Sequence, residues 1–87
     1  MKVFVVGDRG PEHNSLSSIH STDVGALKAW NKIRLELMGK AKSFLKREKH
    51  NPEMWQTMVD NLSCEDPEKI DNYPHETPYI HEYEVIE

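Results

Sequence analysis

The chain is poor in cysteine and has no long apolar run. Cys64 is the single cysteine, so no disulfide can form within the chain, and such sparse use of cysteine is typical of a reducing cytoplasm. No stretch approaches the roughly 20 apolar residues of a membrane helix. The opening MKVFVVGDRG has too short an apolar run for a secretion signal. We therefore expect a cytoplasmic protein.

Sequence signatures of catalysis and of cofactor binding are also missing. GDRG follows an apolar run, but neither GxGxxG nor GxxxxGK[ST] is present, so we interpret it as a plain turn. Cys64 precedes Glu65 and Asp66, whose charge disfavours the thiolate that a nucleophile needs. Glu82 and Glu84 could serve a glycosidase, but 87 residues rarely build the required cleft. The sequence predicts a noncatalytic protein without a cofactor.

The five histidines show no spacing that favours a metal site. Ligand pairs normally recur at close helical or turn spacing, and a lone cysteine offers no CxxC partner. The histidines are His13, His20, His50, His75 and His81. We expect them to be structural or exposed side chains, and no metal is predicted.

Basic residues are nearly absent from the last 37 residues. The first 50 residues hold ten Lys or Arg and five Asp or Glu, whereas residues 51–87 hold ten acids and only Lys69. The two parts therefore carry opposite formal charges of +5 and −9, within a total of −4. Such a separation of charge favours association with a partner of opposite sign.

Apolar patterning predicts five elements within one domain, residues 1–87. KVFVV reads as a buried central strand ended by Gly7, and SLSSIHS as a second strand. Ser21 or Thr22 can cap a long helix whose apolar residues recur every three or four positions. They are Leu27, Trp30, Ile33, Leu37, Ala41 and Phe44. Trp30 and Trp55 are expected to pack in the core.

A second helix and a last strand complete the pattern. Asn51 can cap a helix that has Pro52 at its first position, and the proline-rich acidic segment after Leu62 predicts a loop. YIHEYEVI alternates like a strand. The order β-β-α-α-β predicts a small α+β fold, a three-stranded antiparallel sheet with two helices on one face. We expect a homodimer formed through a sheet edge or through the apolar surface of the long helix.

Acidic side chains of the C-terminal third are the candidate partner-binding residues. Glu82 and Glu84 share one face of the last strand at a spacing of about 6.7 Å, and the preceding loop adds further carboxylates. The candidates are Glu65, Asp66, Glu68, Asp71, Glu76, Glu82, Glu84 and Glu87. Such a row can imitate a nucleic-acid backbone and attract a basic protein. The alternative is that these acids form only a solvent-exposed surface that keeps the protein soluble.

The basic long helix supports a second interpretation. Its lysines and arginines could contact phosphates, or could be no more than its solvated face. They include Lys28, Lys32, Arg34, Lys40, Lys42, Lys46 and Arg47. Nucleic-acid binding by this face is therefore the alternative function, although the acidic tail would compete for the same surface.

Three stretches carry a resemblance to known proteins: MKVFVV, SIHSTDVGALKAWNKI and YIHEYEVIE. Together with the small size and acidic end, they make the chain similar to host-takeover proteins of lytic Bacillus phages, in particular those that inhibit the nucleoid-associated protein HU. The resemblance implies an acidic, DNA-mimicking dimer that blocks the DNA-binding surface of HU. The basic long helix departs from this pattern, so mimicry is expected of only part of the surface.

Overall fold

The computed structural model describes residues 1–10, 14–47, 52–70 and 76–86. Its elements are β1 (Lys2–Arg9), β2 (Asn14–His20), α1 (Asp23–Arg47), α2 (Pro52–Leu62) and β3 (Thr77–Glu84). The strands form one antiparallel sheet in the order β2-β1-β3. The predicted α+β fold and its β-β-α-α-β order are confirmed.

β1 is the central strand, as its apolar run predicts. Val6 is fully buried, and the strand pairs with β2 on one side and with β3 on the other. The predicted end at Gly7 and the turn at GDRG are wrong, because β1 continues to Arg9. The pairing with β2 shifts between Val6 and Gly7, which is a β-bulge. Glycine therefore marks an irregularity inside the strand and not its end.

Gly7 is required by a neighbouring ring. A β-carbon at this position would lie 2.7 Å from the Tyr79 hydroxyl oxygen and would collide with the Ser15 carbonyl oxygen. The Tyr79 hydroxyl donates to that carbonyl oxygen at 3.2 Å. The Tyr79 ring of β3 thus lies over Gly7 of β1, where a side chain is absent, and its hydroxyl reaches β2. One side chain therefore contacts all three strands.

α1 begins where its capping residues predict. The Thr22 hydroxyl oxygen accepts a hydrogen bond from the Gly25 backbone N–H at 3.1 Å, so Thr22 is the N-cap. The helix runs through Gly39 to Arg47 without interruption. Its buried side chains recur at helical spacing: Ala26, Trp30, Arg34, Leu37 and Ala41.

Two details of the predicted helix face are wrong. Leu27 is 40% exposed and lies at the edge of the packed face, whereas Arg34 is buried instead of solvated. Arg34 lies one turn from Trp30 on the same side of the helix, and this position faces α2. The buried stripe of α1 therefore contains a cation, and the pattern of apolar residues in the sequence cannot predict its burial.

α2 starts at Pro52, as predicted, and packs on α1. Met58, Val59 and Leu62 are buried, and the Trp55 ring stacks on Phe44 with 4.7 Å between centroids and 10° between planes. The expected cap, Asn51, lies outside the described residues. Trp30 is fully buried, so the expected core position is confirmed for that residue, while Trp55 is half-buried.

The helices cover one face of the sheet only. Phe4, Val6 and Ile80 point towards them and belong to the core or pack against it. Because side chains alternate along a strand, Val3, Val5 and Tyr79 point to the opposite face. The molecule is elongated, with extents of 53 × 23 × 19 Å. Within the described ranges, no helix has the length and apolarity that crossing a bilayer requires.

Candidate partner-binding groove

A groove opens where the start of α1 meets the sheet and the turn after α2. Its volume is about 440 Å³, within the usual range of ligand pockets. Its floor and walls are apolar and consist of Phe4, Val24, Ala26, Leu27, Pro67 and Ile80. Four carboxylates complete its lining: Asp23, Asp66, Glu68 and Glu82. The groove thus combines apolar surface with concentrated negative charge.

The apolar part of this groove is accessible to a partner. Val24 is 62% exposed and Leu27 is 40% exposed, although both belong to the first turns of α1. Phe4 and Ile80, by contrast, are partly buried and connect the floor to the core. A ligand that covers Val24 and Leu27 would remove apolar surface from water without disturbing the core.

Asp23 lies in the groove because α1 begins directly after its N-cap, Thr22. The first residue of α1 is Asp23, whose carboxylate accepts a hydrogen bond from the Val24 N–H at 2.9 Å. The sequence marks Asp23 as a favourable residue for a helix start, but it gives no sign that it meets residues 66–68. Only the packing of α1 on the sheet brings these distant acids together.

Asp66 organises the opposite wall as a tight turn. Its carboxylate accepts from the Glu68 N–H at 2.9 Å, and its carbonyl oxygen accepts from the Ile70 N–H at 3.1 Å. Ile70 is buried in the core cluster and holds the turn against the protein. Glu68 is left exposed on the rim, in a position fixed by the backbone of the turn.

Glu82 approaches the groove from β3. Ile80 and Glu82 lie on the same face of the strand, so the apolar wall continues directly into a carboxylate. Lys2 Nζ lies 3.2 Å from Glu82 Oε1, and both side chains are more than half exposed. Exposed pairs of this kind contribute only about 0–1 kcal/mol, so a cation from a partner can replace Lys2.

Glu84 extends the charge along the same strand face. Its Oε1 lies 3.3 Å from the ammonium group of Met1, again between exposed groups. The predicted pair Glu82 and Glu84 therefore shares a face, and each carboxylate has a cation of the chain beside it. The local field at β3 is weaker than the acid count alone suggests.

The other candidate acids lie apart from the groove or outside the described residues. Glu65 Oε1 is 3.9 Å from Arg34 Nη2, and Glu76 lines a smaller pocket of about 200 Å³ together with Lys40, Trp55 and Met58. Asp71 and Glu87 are outside the described residues. Among the six described candidates, Asp66, Glu68 and Glu82 share the groove. The six candidate acids that the structure describes do not form one continuous row.

Exposed lysines occupy the solvent side of α1. Lys28, Lys32, Lys42 and Lys46 fall within one narrow stripe when 3.6 residues are counted per turn. Their span along the helix axis is about 27 Å. Since the groove adjoins the first residues of α1, most of this positive charge lies further along the helix. The charge separation of the sequence therefore persists in the fold.

The histidines that the structure describes are not gathered into a site. The Ser18 hydroxyl and His20 Nε2 share a hydrogen bond of 2.7 Å, and His81 lies between two tyrosine rings. Across the described ranges, no three His, Cys, Asp or Glu side chains meet in a way that could hold a metal ion. His13, His50 and His75 fall outside those ranges.

Searches against protein-family models, curated proteins and solved structures find no match for this chain.

Proposed function

We propose that the chain is a noncatalytic binding protein that captures a basic partner protein in its acidic groove. The observation that carries this proposal is the exposed apolar floor at Val24 and Leu27, surrounded by four carboxylates. This arrangement suits a partner segment with an apolar side chain flanked by Lys or Arg. Apolar burial supplies affinity, and the carboxylates supply steering and register.

Electrostatics favours this occupant over an acidic or neutral one. The groove presents Asp23 on α1, Asp66 and Glu68 on the turn after α2, and Glu82 on β3, so a bound cation would have carboxylates on more than one side. Carboxylates that line the same groove repel each other, and a basic partner relieves that repulsion. Lys2 already occupies one such position and illustrates the kind of group that fits.

The partner class that we propose is a bacterial DNA-binding protein, with HU as the first to test. Its DNA-binding surface, being basic, would bind the groove and the neighbouring Glu84 in place of phosphates. The acids that share the groove support mimicry of a short stretch of nucleic acid, not of a long one. In this proposal the protein acts as an inhibitor in the bacterial cytoplasm.

The test compares two double variants with the same change in net charge. E68K/E82K reverses two groove carboxylates, and E36K/E53K reverses two exposed acids that do not line the groove. Binding to purified HU is measured by isothermal titration calorimetry at low salt. We expect the groove variant to weaken binding at least about 10-fold and the control to change it about 2-fold, because only the groove contacts are lost.

Each alternative outcome has a distinct meaning. Equal losses in the two variants would reject the groove and leave only a net-charge effect. An HU that does not bind the wild-type chain would reject HU as the partner. Val24→Ser keeps every charge and tests the apolar floor, and circular dichroism of each variant checks that the fold is intact.

Nucleic-acid binding by α1 is the second candidate function. The observation that favours it is the stripe of Lys28, Lys32, Lys42 and Lys46 on one exposed side of the helix. In the part of the chain that the structure describes, none of these four lysines has an ion pair. A mobility shift of labelled DNA at low salt, abolished by K42E/K46E, would favour this function over capture of a protein.

A further inference from the structure

We propose that the outer face of the sheet is a self-association surface that pairs two copies of the chain face to face. This outer sheet face is the side that the helices leave uncovered. Its residues are Val3, Val5 and Gly7 of β1, Leu16 and Ile19 of β2, and Tyr79, His81 and Tyr83 of β3. The proposal is independent of the groove, which opens on the helix side.

The outer sheet face exposes large apolar side chains. Leu16 and Ile19 are each 60% exposed, and Tyr83 is 54% exposed. Val5 of β1 lies between Ile19 and His81, and Val3 pairs with Tyr83, so the central strand connects the exposed residues of β2 and β3 into one patch. A contiguous apolar patch of this kind on a small protein marks an interaction site.

This face is also almost free of charge. Charged residues make up 30% of the chain, but Arg9 is the only Lys, Arg, Asp or Glu among the described strand residues that point outwards. On the opposite side of β3, Glu82 and Glu84 are charged. A second copy could therefore cover the outer sheet face without removing a carboxylate or a lysine from water, which would be unfavourable.

Contacts within the face hold its aromatic side in a fixed arrangement. The Tyr79 and His81 rings are 5.0 Å apart between centroids, and His81 and Tyr83 are 6.3 Å apart. Arg9 lies 5.6 Å from the centre of the Tyr79 ring, and its Nη1 lies 3.5 Å from His81 Nε2. Side chains that are already ordered lose little entropy when a partner covers them.

The face is complementary to itself. Leu16 and Ile19 of β2 form an aliphatic column on one side, His81 and Tyr83 of β3 form an aromatic column on the other, and the Tyr79 ring lies over Gly7 between them. A two-fold axis parallel to β1 would place the aliphatic column of each copy on the aromatic column of its partner. This match in both directions is the property that an isologous interface needs, and it favours a second copy over an unrelated protein.

The strand register makes the pairing specific. Ile19 and His81 both pair with Val5 and therefore lie at the same level on opposite sides of the sheet. Leu16 and Tyr79 are likewise level with Gly7. Rotation about an axis along β1 preserves this level, so Ile19 of one copy would lie over His81 of the other.

The size of the face indicates a reversible dimer. Strands of seven or eight residues and a width of three strands give about 25 Å by 15 Å, or roughly 700 Å² of flat area for two copies. Thr77 and Tyr79 on this face are already buried, so the area that two copies can bury stays below about 1,200 Å², the lower limit of stable interfaces. We therefore expect a dissociation constant of roughly 1–100 μM.

Sedimentation velocity over a concentration series tests the proposal with two matched variants. Ile19→Lys places a charge in the outer sheet face, whereas Leu35→Lys places it on α1 at a residue that is similarly exposed. We expect the wild type and L35K to dimerise alike and I19K to be monomeric up to about 10 times the wild-type dissociation constant. Because both sites are exposed, both variants should fold, which circular dichroism checks.

A charge pair tests the axis itself. His81→Glu alone should weaken the dimer, but an equimolar mixture of I19K and H81E should form a heterodimer, since one charge would then face the other. A wild-type chain that is monomeric at 500 μM would overturn the proposal. So would a dimer that I19K leaves intact, because a sheet edge or α1 would then be the interface.

Discussion

Arg34 connects the two helices through a single buried side chain. Its Nη1 donates to the Leu62 carbonyl oxygen at 2.8 Å, and its Nε donates to Asn31 Oδ1 at 3.2 Å. Leu62 is the last residue of α2, so the guanidinium satisfies a carbonyl group that has no partner within its own helix. A cation also suits the negative end of the helix dipole. This role explains why a charged residue occupies the packed side of α1.

Replacement of Arg34 should therefore destabilise the fold strongly. We expect Arg34→Leu to lower the free energy of unfolding by about 2–3 kcal/mol, because the buried carbonyl of Leu62 loses its charged donor. Urea unfolding followed by tryptophan fluorescence measures the change. Glu65→Gln is the control, since Glu65 is 84% exposed and 3.9 Å away, and its effect should be about 0.5 kcal/mol or less. Equal effects would contradict this assignment.

At the scale of elements, the sheet depends on the contact between Tyr79 and the backbone at Gly7. The phenol of β3 crosses the central strand and reaches the Ser15 carbonyl oxygen of β2. The bulge between Val6 and Gly7 adjusts the pairing at the same level. One side chain from the last strand thus contributes to the pairing of the first two.

Two substitutions separate the steric and polar parts of this contact. Gly7→Ala should lower the free energy of unfolding by roughly 2–4 kcal/mol, since its β-carbon needs space that Tyr79 and Ser15 occupy. Tyr79→Phe keeps the ring and should cost only about 1 kcal/mol through loss of the hydrogen bond. Thermal unfolding ranks the two variants. A larger effect of Y79F would show that the hydroxyl, not the ring, secures the sheet.

The element order was predictable because it depends on local patterns. Val and Phe runs, the Thr22 cap and Pro52 each act within a few residues of their own position. The bulge at Gly7 was not predictable, because the space that a β-carbon would need there is occupied by the Ser15 carbonyl oxygen of the paired strand and by Tyr79, which lies 72 residues later. The burial of Arg34 likewise depends on a carbonyl group 28 residues away.

The groove was predicted only in part for the same reason. The acid count of the C-terminal third points to Asp66, Glu68 and Glu82 but not to Asp23, since Asp23 belongs to the positively charged part of the chain. The apolar floor could not be found either, because Val24 and Leu27 read as ordinary residues of an amphipathic helix. Charge composition indicates the sign of a partner, whereas the fold decides which acids act together.

At the scale of the whole molecule, salt should weaken binding at the groove much more than association through the outer sheet face. Groove binding depends on carboxylates, and the screening length falls from about 10 Å at 0.1 M salt to about 3 Å at 1 M. The outer sheet face is nearly uncharged, and its apolar contacts are not screened. Raising NaCl from 0.1 to 0.5 M should weaken capture of a basic partner at least about 10-fold.

The dissociation constant of the dimer, measured by sedimentation velocity, should change less than about 3-fold between 0.1 and 0.5 M NaCl. Titration calorimetry with the basic partner under identical buffers supplies the other half of the comparison. Loss of both associations in parallel would mean that one electrostatic surface serves both, which would contradict the separation of the two faces.

One-sided packing of the helices gives such a dimer two grooves that point away from each other. Each groove lies on the helix side of its own sheet, so pairing of the uncovered sides leaves both accessible. A partner with two basic sites, or one bound in several copies along a polymer, would be held at a raised effective concentration after its first contact. A modest affinity at each groove would then hold the partner for a long time. Dilution below the concentration at which the dimer forms would release the partner.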